Sequence, residues 1–220
     1  FEDLKTIADH RHYVGSNPHG GNGISGDVGG GHAHCGAMIY LGDQFPASFR
    51  GRIWMNNIHG NRINTDILEP SGSGYVGRHG PDVVRAEDPW FRGINMRTGP
   101  DGSVLFIDWY DAQACHRTVP EIWDRSNGRL YRLSYGTSTP VQVDLRGKTS
   151  KELAELHLHA NEWYVRTSRR LLMERAPDPE AVAILSGILA RDESWSRRLR
   201  ALWTLHATQA LKVEQALAFL

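Results

Sequence analysis

The chain has no net charge: 25 basic residues balance 25 acidic ones over 220 residues. No run or stripe of one sign breaks that balance. An electrostatic nucleic-acid footprint and a polybasic membrane patch are therefore not expected. No apolar run approaches the roughly 18 residues that a bilayer-spanning helix needs, so no transmembrane segment is expected in this piece. Cys-x-x-Cys-His does not occur, and no c-type haem site is expected here. Cysteine itself is scarce. Cys35 and Cys115 are either two half-buried thiols or one disulfide, which would need an oxidising compartment, and the sequence leaves both open. A signal-peptide pattern is missing and the first residue is Phe1, so a segment of a longer precursor is expected.

Glycine, by contrast, is abundant. The 23 glycines concentrate in the front half and mark it as turn-rich. Residues 1–31 are expected to hold one edge strand and a Gly-rich loop. Short apolar strands follow near 34–41, 51–58 and 61–68, with a fourth, outer strand around Tyr75 and Val76. Segments 91–98 and 103–109 pair across the Gly99-Pro100-Asp101-Gly102 turn, whose Pro and Gly suit a tight reversal. Asn127-Gly128 stands between two apolar runs, a strong hairpin signal. The strands are apolar enough to be buried on both faces, as in blades of a β-propeller sandwiched between neighbours.

The character changes near residue 147. From Ser150 no glycine appears until Gly187, and the apolar period becomes helical. Thr149 or Ser150 caps a first helix, and further helices are expected near 161–175, 179–190 and 193–207. Val165-Arg166 with Leu171 recurs 34 residues later as Leu199-Arg200 with Leu205. That repetition suits stacked helix pairs of the HEAT type, and an ordinary bundle stays open beside it. Leu171, Leu172, Leu199, Leu202 and Leu205 are expected to face inward, and Arg169, Arg170 and Arg197 to face solvent. The expected fold class is thus mixed: an all-β partial propeller of about two blades over 32–146, then an all-α HEAT-like segment over 147–220.

Chemistry-bearing residues gather near the ends of the expected strands. His32 and His34 share one strand face, and His59 ends a neighbouring strand. Such imidazoles bind a transition metal, contact a substrate hydroxyl or carboxylate, accept a proton, or simply fix loop carbonyls, and the pattern leaves these open. Arg92 offers a planar fork for carboxylates or a salt bridge to Asp88 or Asp111. Asp101, Asp108 and Asp111 are candidate calcium oxygens, although Asp101 also suits its turn. Trp90, Trp109 and Trp123 stack on a ring ligand or pack between blades. Cys35 and Cys115 both flank strands expected to be neighbours, and a disulfide between them is expected.

Three motifs in order carry a resemblance: Gly30-Gly31-His32-Ala33-His34-Cys35-Gly36, Met55-Asn56-Asn57-Ile58-His59-Gly60-Asn61-Arg62 and Asp108-Trp109-Tyr110-Asp111. With Gly36-Ala37-Met38-Ile39-Tyr40 and Gly99-Pro100-Asp101-Gly102, residues 32–136 look like the last part of a glucose/sorbosone dehydrogenase-type β-propeller. More closely they resemble the large membrane-bound dehydrogenase proteins known chiefly from planctomycetes, in which HEAT-like helices and then a c-type haem domain follow the propeller. The resemblance implies a periplasmic quinoprotein oxidising a small sugar or alcohol with pyrroloquinoline quinone and calcium, and handing electrons to the haem domain of the same full-length chain. A non-catalytic scaffold binding carbohydrate or protein is the alternative. Of the relatives' quinone-contacting positions only Arg92 matches outright; His59 stands where they carry Lys, Trp90 where they carry a first Arg, and Gly29 and Gly31 where they carry Trp and Thr. The relatives' catalytic His belongs to an earlier blade. The expected binding site is therefore Gly31, His32, His34, His59 and Arg92 at one axial end.

Overall fold

In the computed structural model the structure describes residues 13–14, 17–18, 34–58, 60–111, 124 and 126–219. Antiparallel sheets fill the front of the chain and five helices the back. The chain divides into two compact units, Phe1–Gly99 with Ser103–Ser138, and Pro100–Gly102 with Thr139–Leu220.

In the first unit, Tyr13–Val14 (β1) and Asn17–Pro18 (β2) form a short antiparallel pair. The main sheet is a meander of His34–Ile39 (β3), Ile53–Asn57 (β4), Arg62–Ser71 (β5) and Gly74–His79 (β6), each antiparallel to the next. Val84–Arg85 (β7) continues along β5 where β6 stops, so the outer position is shared by two pieces with Gly80–Val83 between them. Pro81 suits this break because it has no N–H to give to a ladder. A second meander joins Gly93–Thr98 (β8), Val104–Asp108 (β9) and Arg129–Leu133 (β10). The Gly99 amide bonds the Ser103 carbonyl at 2.8 Å and closes the Pro-Asp-Gly turn. The strand after Asn127-Gly128 forms as expected and pairs with β9; the apolar run before that dipeptide lies outside the described residues.

Alternation explains β9, where Val104, Phe106 and Asp108 are buried while Leu105 and Ile107 are exposed. It does not describe β4, in which Trp54, Met55, Asn56 and Asn57 are all buried. On one face Trp54 stacks on Tyr40 at 5.0 Å and meets Phe45 edge-on, also at 5.0 Å. The Tyr40 hydroxyl oxygen accepts from the Gln44 and Phe45 amides and so fixes the turn that carries Phe45. Met96, Val104, Phe91 and Phe106 extend this core into the second meander. The two sheets approach closely at Gly36, which has φ +58°; a Cβ there would lie 2.5 Å from the Ile94 carbonyl oxygen.

The second unit has its own core. Ser150–Glu155 (α1), Glu162–Met173 (α2), Pro179–Arg191 (α3), Trp195–Ala207 (α4) and Val213–Phe219 (α5) follow in order. Thr149 and Glu152 form a reciprocal capping box on α1, Asn161 caps α2, and Asp178 with Pro179 opens α3. Leu153, Leu171, Leu172, Leu185, Leu189 and Leu205 form the buried cluster. Leu145 is buried there and Val143 packs against it, so residues assigned by sequence to the blades belong to the helical core.

The expected stripe holds for Leu171, Leu172 and Leu205, while Leu199 and Leu202 are half-buried. Arg170 and Arg197 are exposed, but Arg169 is not in solvent: its Nε donates to Thr204 Oγ1 at 3.0 Å. That hydroxyl belongs to a buried network which replaces apolar packing at one end of the unit. His157 is fully buried, with Nδ1 facing the Leu153 and Ala154 carbonyls and Nε2 accepting from Thr204 at 2.7 Å. Arg200 pairs with Glu162 at 2.5 Å.

Burial pushes the His157 pKa from 6.5 down to about 4, and the charges of Arg169 and Arg200 push the same way against two carbonyl hydrogen bonds. Between those values the unfolded chain binds the proton more readily than the folded one. Stability from this group is therefore full above pH 6.5 and is lost as pH falls towards 4, by at most roughly 3 kcal/mol. Urea unfolding of the wild type and of His157→Gln at pH 7.5 and 4.5 checks this: the wild type should lose more stability between the two than the variant does.

Candidate functional site

Three chain segments meet at one end of the two meanders: the β4–β5 turn at Ile58–Asn61, the approach to β8 at Pro89–Arg92, and the exit from β9 at Asp108–Asp111. Side chains bind them together. Asn61, at φ +51°, donates its amide to the Phe91 carbonyl at 2.9 Å and the Pro89 carbonyl at 3.3 Å. Arg92 Nη1 donates to the Phe91 carbonyl at 2.7 Å and the Ile58 carbonyl at 3.3 Å. Asp108 Oδ1 accepts from the Arg92 amide at 2.7 Å and the Tyr110 amide at 2.9 Å. Beyond it the Trp109 amide reaches the Arg92 carbonyl and the Asp111 amide reaches the Trp90 carbonyl, each at 2.9 Å.

This closure holds Tyr110 at φ +54°. That left-handed conformation is strained for a bulky aromatic, and it is sustained by the fixed carboxylate and the two neighbouring backbone bonds. The Tyr110 ring lies 5.6 Å from Trp90, and the Arg129 guanidinium sits over its face at 3.4 Å. Trp90 is 39% exposed. Indole, phenol and guanidinium thus form a surface platform on a rigid rim, with the Asp88 carboxylate beside it accepting from the Trp90 amide. Asp111 is buried and accepts from the Asp124 amide.

A second polar group lies on the β4–β5 face opposite Trp54. Register places His34, Asn57 and Arg62 side by side, then Asn64, then Asp66 beside His79. Asn57 donates to Asn64 at 2.9 Å, and Asn64 donates to Asp82 at 2.6 Å. The Asp82 side chain, only 4% exposed, also takes Arg62 at 2.8 Å and Arg85 at 3.2 Å. His79 lies 3.6 Å from Asp66. His34 is held below its ordinary pKa chiefly by burial, against a hydrogen bond with Asn64 and the Asp66 charge, so its imidazole is neutral at neutral pH.

Of the residues expected from sequence, His34 starts β3 at the same sheet end as Ile58 and Arg92. Gly31, His32, His59 and Cys115 lie outside the described residues, as does Trp123. Cys35 is a free thiol, its Sγ donating to the Gly93 carbonyl at 3.4 Å, and burial raises its pKa. Arg92 is 4% exposed, with Nη1 directed at backbone carbonyls. Asp101 sits in the hairpin turn. Sequence reasoning missed Asn61, Tyr110, Arg129, Asp66, His79 and Asp82. One signal was present for this region: adjacent Asn56 and Asn57 inside an apolar strand, where asparagine is depleted.

A family model described as "Domain of unknown function (DUF7133)" matches residues 8–137. No curated protein and no solved structure matches the chain.

The Asp82 network gives a direct test of what holds the interrupted outer strand. Asp82→Ala leaves Arg62, 19% exposed, without its carboxylate and Asn64 without its acceptor. A loss of about 3 kcal/mol is expected from urea midpoints. Arg85→Ala removes a partner that is 64% exposed and should cost under about 1 kcal/mol.

Proposed function

The chain belongs to the DUF7133 family, and we propose that its β unit binds a sugar or related polyol on the Trp90–Tyr110 platform. The strained Tyr110, braced between Trp90 and Arg129 at the joined strand ends, is the observation that carries this reading. Flat aromatic faces take the apolar face of a sugar ring, while flanking carboxylates and guanidinium groups take its hydroxyls. In the same reading the two meanders are adjoining blades of an incomplete β-propeller and the helices are HEAT-like pairs. The chain is then a segment of a larger extracytoplasmic protein.

Pyrroloquinoline quinone and calcium do not fit the described residues. The one matched anchor, Arg92, is 4% exposed and directs Nη1 to the Phe91 and Ile58 carbonyls rather than to a ligand carboxylate. Oxidation of the bound sugar or alcohol by the full-length protein, with a c-type haem domain as electron acceptor, is a second reading. His34 favours it, because an imidazole kept neutral at the same sheet end is able to accept a hydroxyl proton.

Calorimetric titration of the full-length protein with a panel of monosaccharides and oligosaccharides tests the binding. Trp90→Ala or Tyr110→Ala should weaken the best ligand about fivefold to tenfold, the loss of roughly 1–1.5 kcal/mol of ring stacking. The proposal fails if no saccharide binds, or if both variants bind as the wild type does. Sugar-dependent dye reduction by the wild type, lost in His34→Ala with binding retained, would carry the second reading.

A further inference from the structure

The layer between the two meanders contains polar atoms that the fold leaves unmatched. Asn56 on β4 is fully buried, and neither its Oδ1 nor its Nδ2 finds a hydrogen-bond partner among the described residues. Asp108 at the end of β9 is also fully buried; Oδ1 holds the Arg92 and Tyr110 amides, while Oδ2 has no partner among the described residues. An unbonded buried amide and an unbonded carboxylate oxygen are each expensive, because both lose water and gain nothing.

These atoms converge on Gly93. Gly93 and Asp108 are directly paired across β8 and β9, so the Asp108 side chain leaves the sheet on the face where Gly93 has none. The Asn56 amide occupies that same face: a Cβ built on Gly93 would collide with Asn56 Oδ1 and approach its Cγ at 2.9 Å. Glycine at this position thus keeps open the place where the amide and the carboxylate approach each other. The register of β8 also shifts between Gly93 and Asn95, and the Gly93 carbonyl is turned towards Cys35 Sγ.

We propose that this spot is a built binding site for one ordered water molecule, which joins Asn56 on the first meander to Asp108 on the second. Water donates to Asp108 Oδ2 and to Asn56 Oδ1, or accepts from Asn56 Nδ2 while donating to the carboxylate. It thereby satisfies two or three buried atoms with a single small molecule, the usual role of internal water. No larger ligand suits a place whose walls are fully buried. The water also has a consequence at the rim. Asp108 fixes the amides of Arg92 and Tyr110, so a carboxylate bonded on both oxygens is held in one orientation, and Tyr110 with it. This argument does not depend on the sugar-binding reading.

Two measurements on the full-length protein test it. A crystal structure fine enough to order internal water should show density at hydrogen-bond distance from Asp108 Oδ2 and the Asn56 amide. Empty density overturns the proposal, and so does density with several oxygen contacts near about 2.4 Å, which marks a cation. Asn56→Leu gives an independent reading by its sign. In a dry site the change removes an unbonded amide and should raise the Tm. At a water site it strips one wall of the water and should lower it. A raised Tm overturns the proposal, and a lowered Tm with the water lost from the variant's crystal structure carries it.

Discussion

The constraint from which the β unit follows is that β4 is buried on both faces. A strand in the middle of a lone two-layer sheet needs only one apolar face. This strand needs two covers, and its sequence supplies a different chemistry to each. Trp54 takes the aromatic cover of Tyr40, Phe45 and Phe49. Asn57 takes a polar cover, in which Asn64, Asp82 and Arg62 satisfy one another in series. Asn56 lies on the aromatic side of the strand yet carries an amide, and that mismatch falls at the point where β8 approaches with a glycine. The interruption of the outer strand has the same origin. Had β6 run on unbroken, its backbone would have occupied the ladder beside Asn64 without bringing a carboxylate inward. The break at Gly80–Val83 lets Asp82 do so while the backbone still bonds β5 through the Gly80 and Val83 amides.

The rim is rigid for a related reason. Turns at strand ends normally leave carbonyls and amides to water, but here side chains of one turn satisfy the backbone of the next. Asn61 serves Pro89 and Phe91, Arg92 serves Ile58, and Asp108 serves Arg92 and Tyr110. Such cross-bracing over-determines each backbone angle, the condition under which an aromatic residue persists at positive φ. It also turns Arg92 from a ligand-binding group into a structural one: the fork that suits a carboxylate suits backbone carbonyls equally when burial removes water.

What the sequence made legible was local. The Pro-Asp-Gly turn, the strand following Asn-Gly, the Thr149 cap and the glycine-free helical period each follow from residues within a few positions of one another, and each forms as read. The helix bounds near 179–190 and 193–207 also agree with α3 and α4. What was not legible was contact across distance. Nothing local to Asp82 says that it will meet Arg62 twenty residues back, and nothing local to Thr204 says that it will receive both His157 and Arg169. Arg169 read as a solvent residue because its neighbours on α2 are charged; only α4 reveals that it spans a buried hydroxyl. The end of the chain that holds His34 and Arg92 was correctly sought at strand termini, yet the exposed chemistry there belongs to Trp90, Tyr110 and Arg129. Of these, Trp90 alone was singled out in the sequence.

Both units bury polar groups, but they do so with opposite electrostatic logic. The β unit keeps charge inside by pairing it: Asp82 takes two guanidinium groups, and His79 stands beside Asp66. The helical unit keeps one of its polar groups inside by leaving it neutral, for His157 lies among carbonyls and a hydroxyl with the positive charges of Arg169 and Arg200 acting against its protonation. A paired charge tolerates acid until its carboxylate is protonated, well below neutrality, whereas a neutral imidazole gives way as soon as the unfolded chain offers the proton a better place. Mild acid therefore acts first on the helical network and leaves the carboxylate-centred sheet network in its neutral-pH state. Since each unit has its own core, that difference in acid response is written into the residues of each and requires no coupling between them.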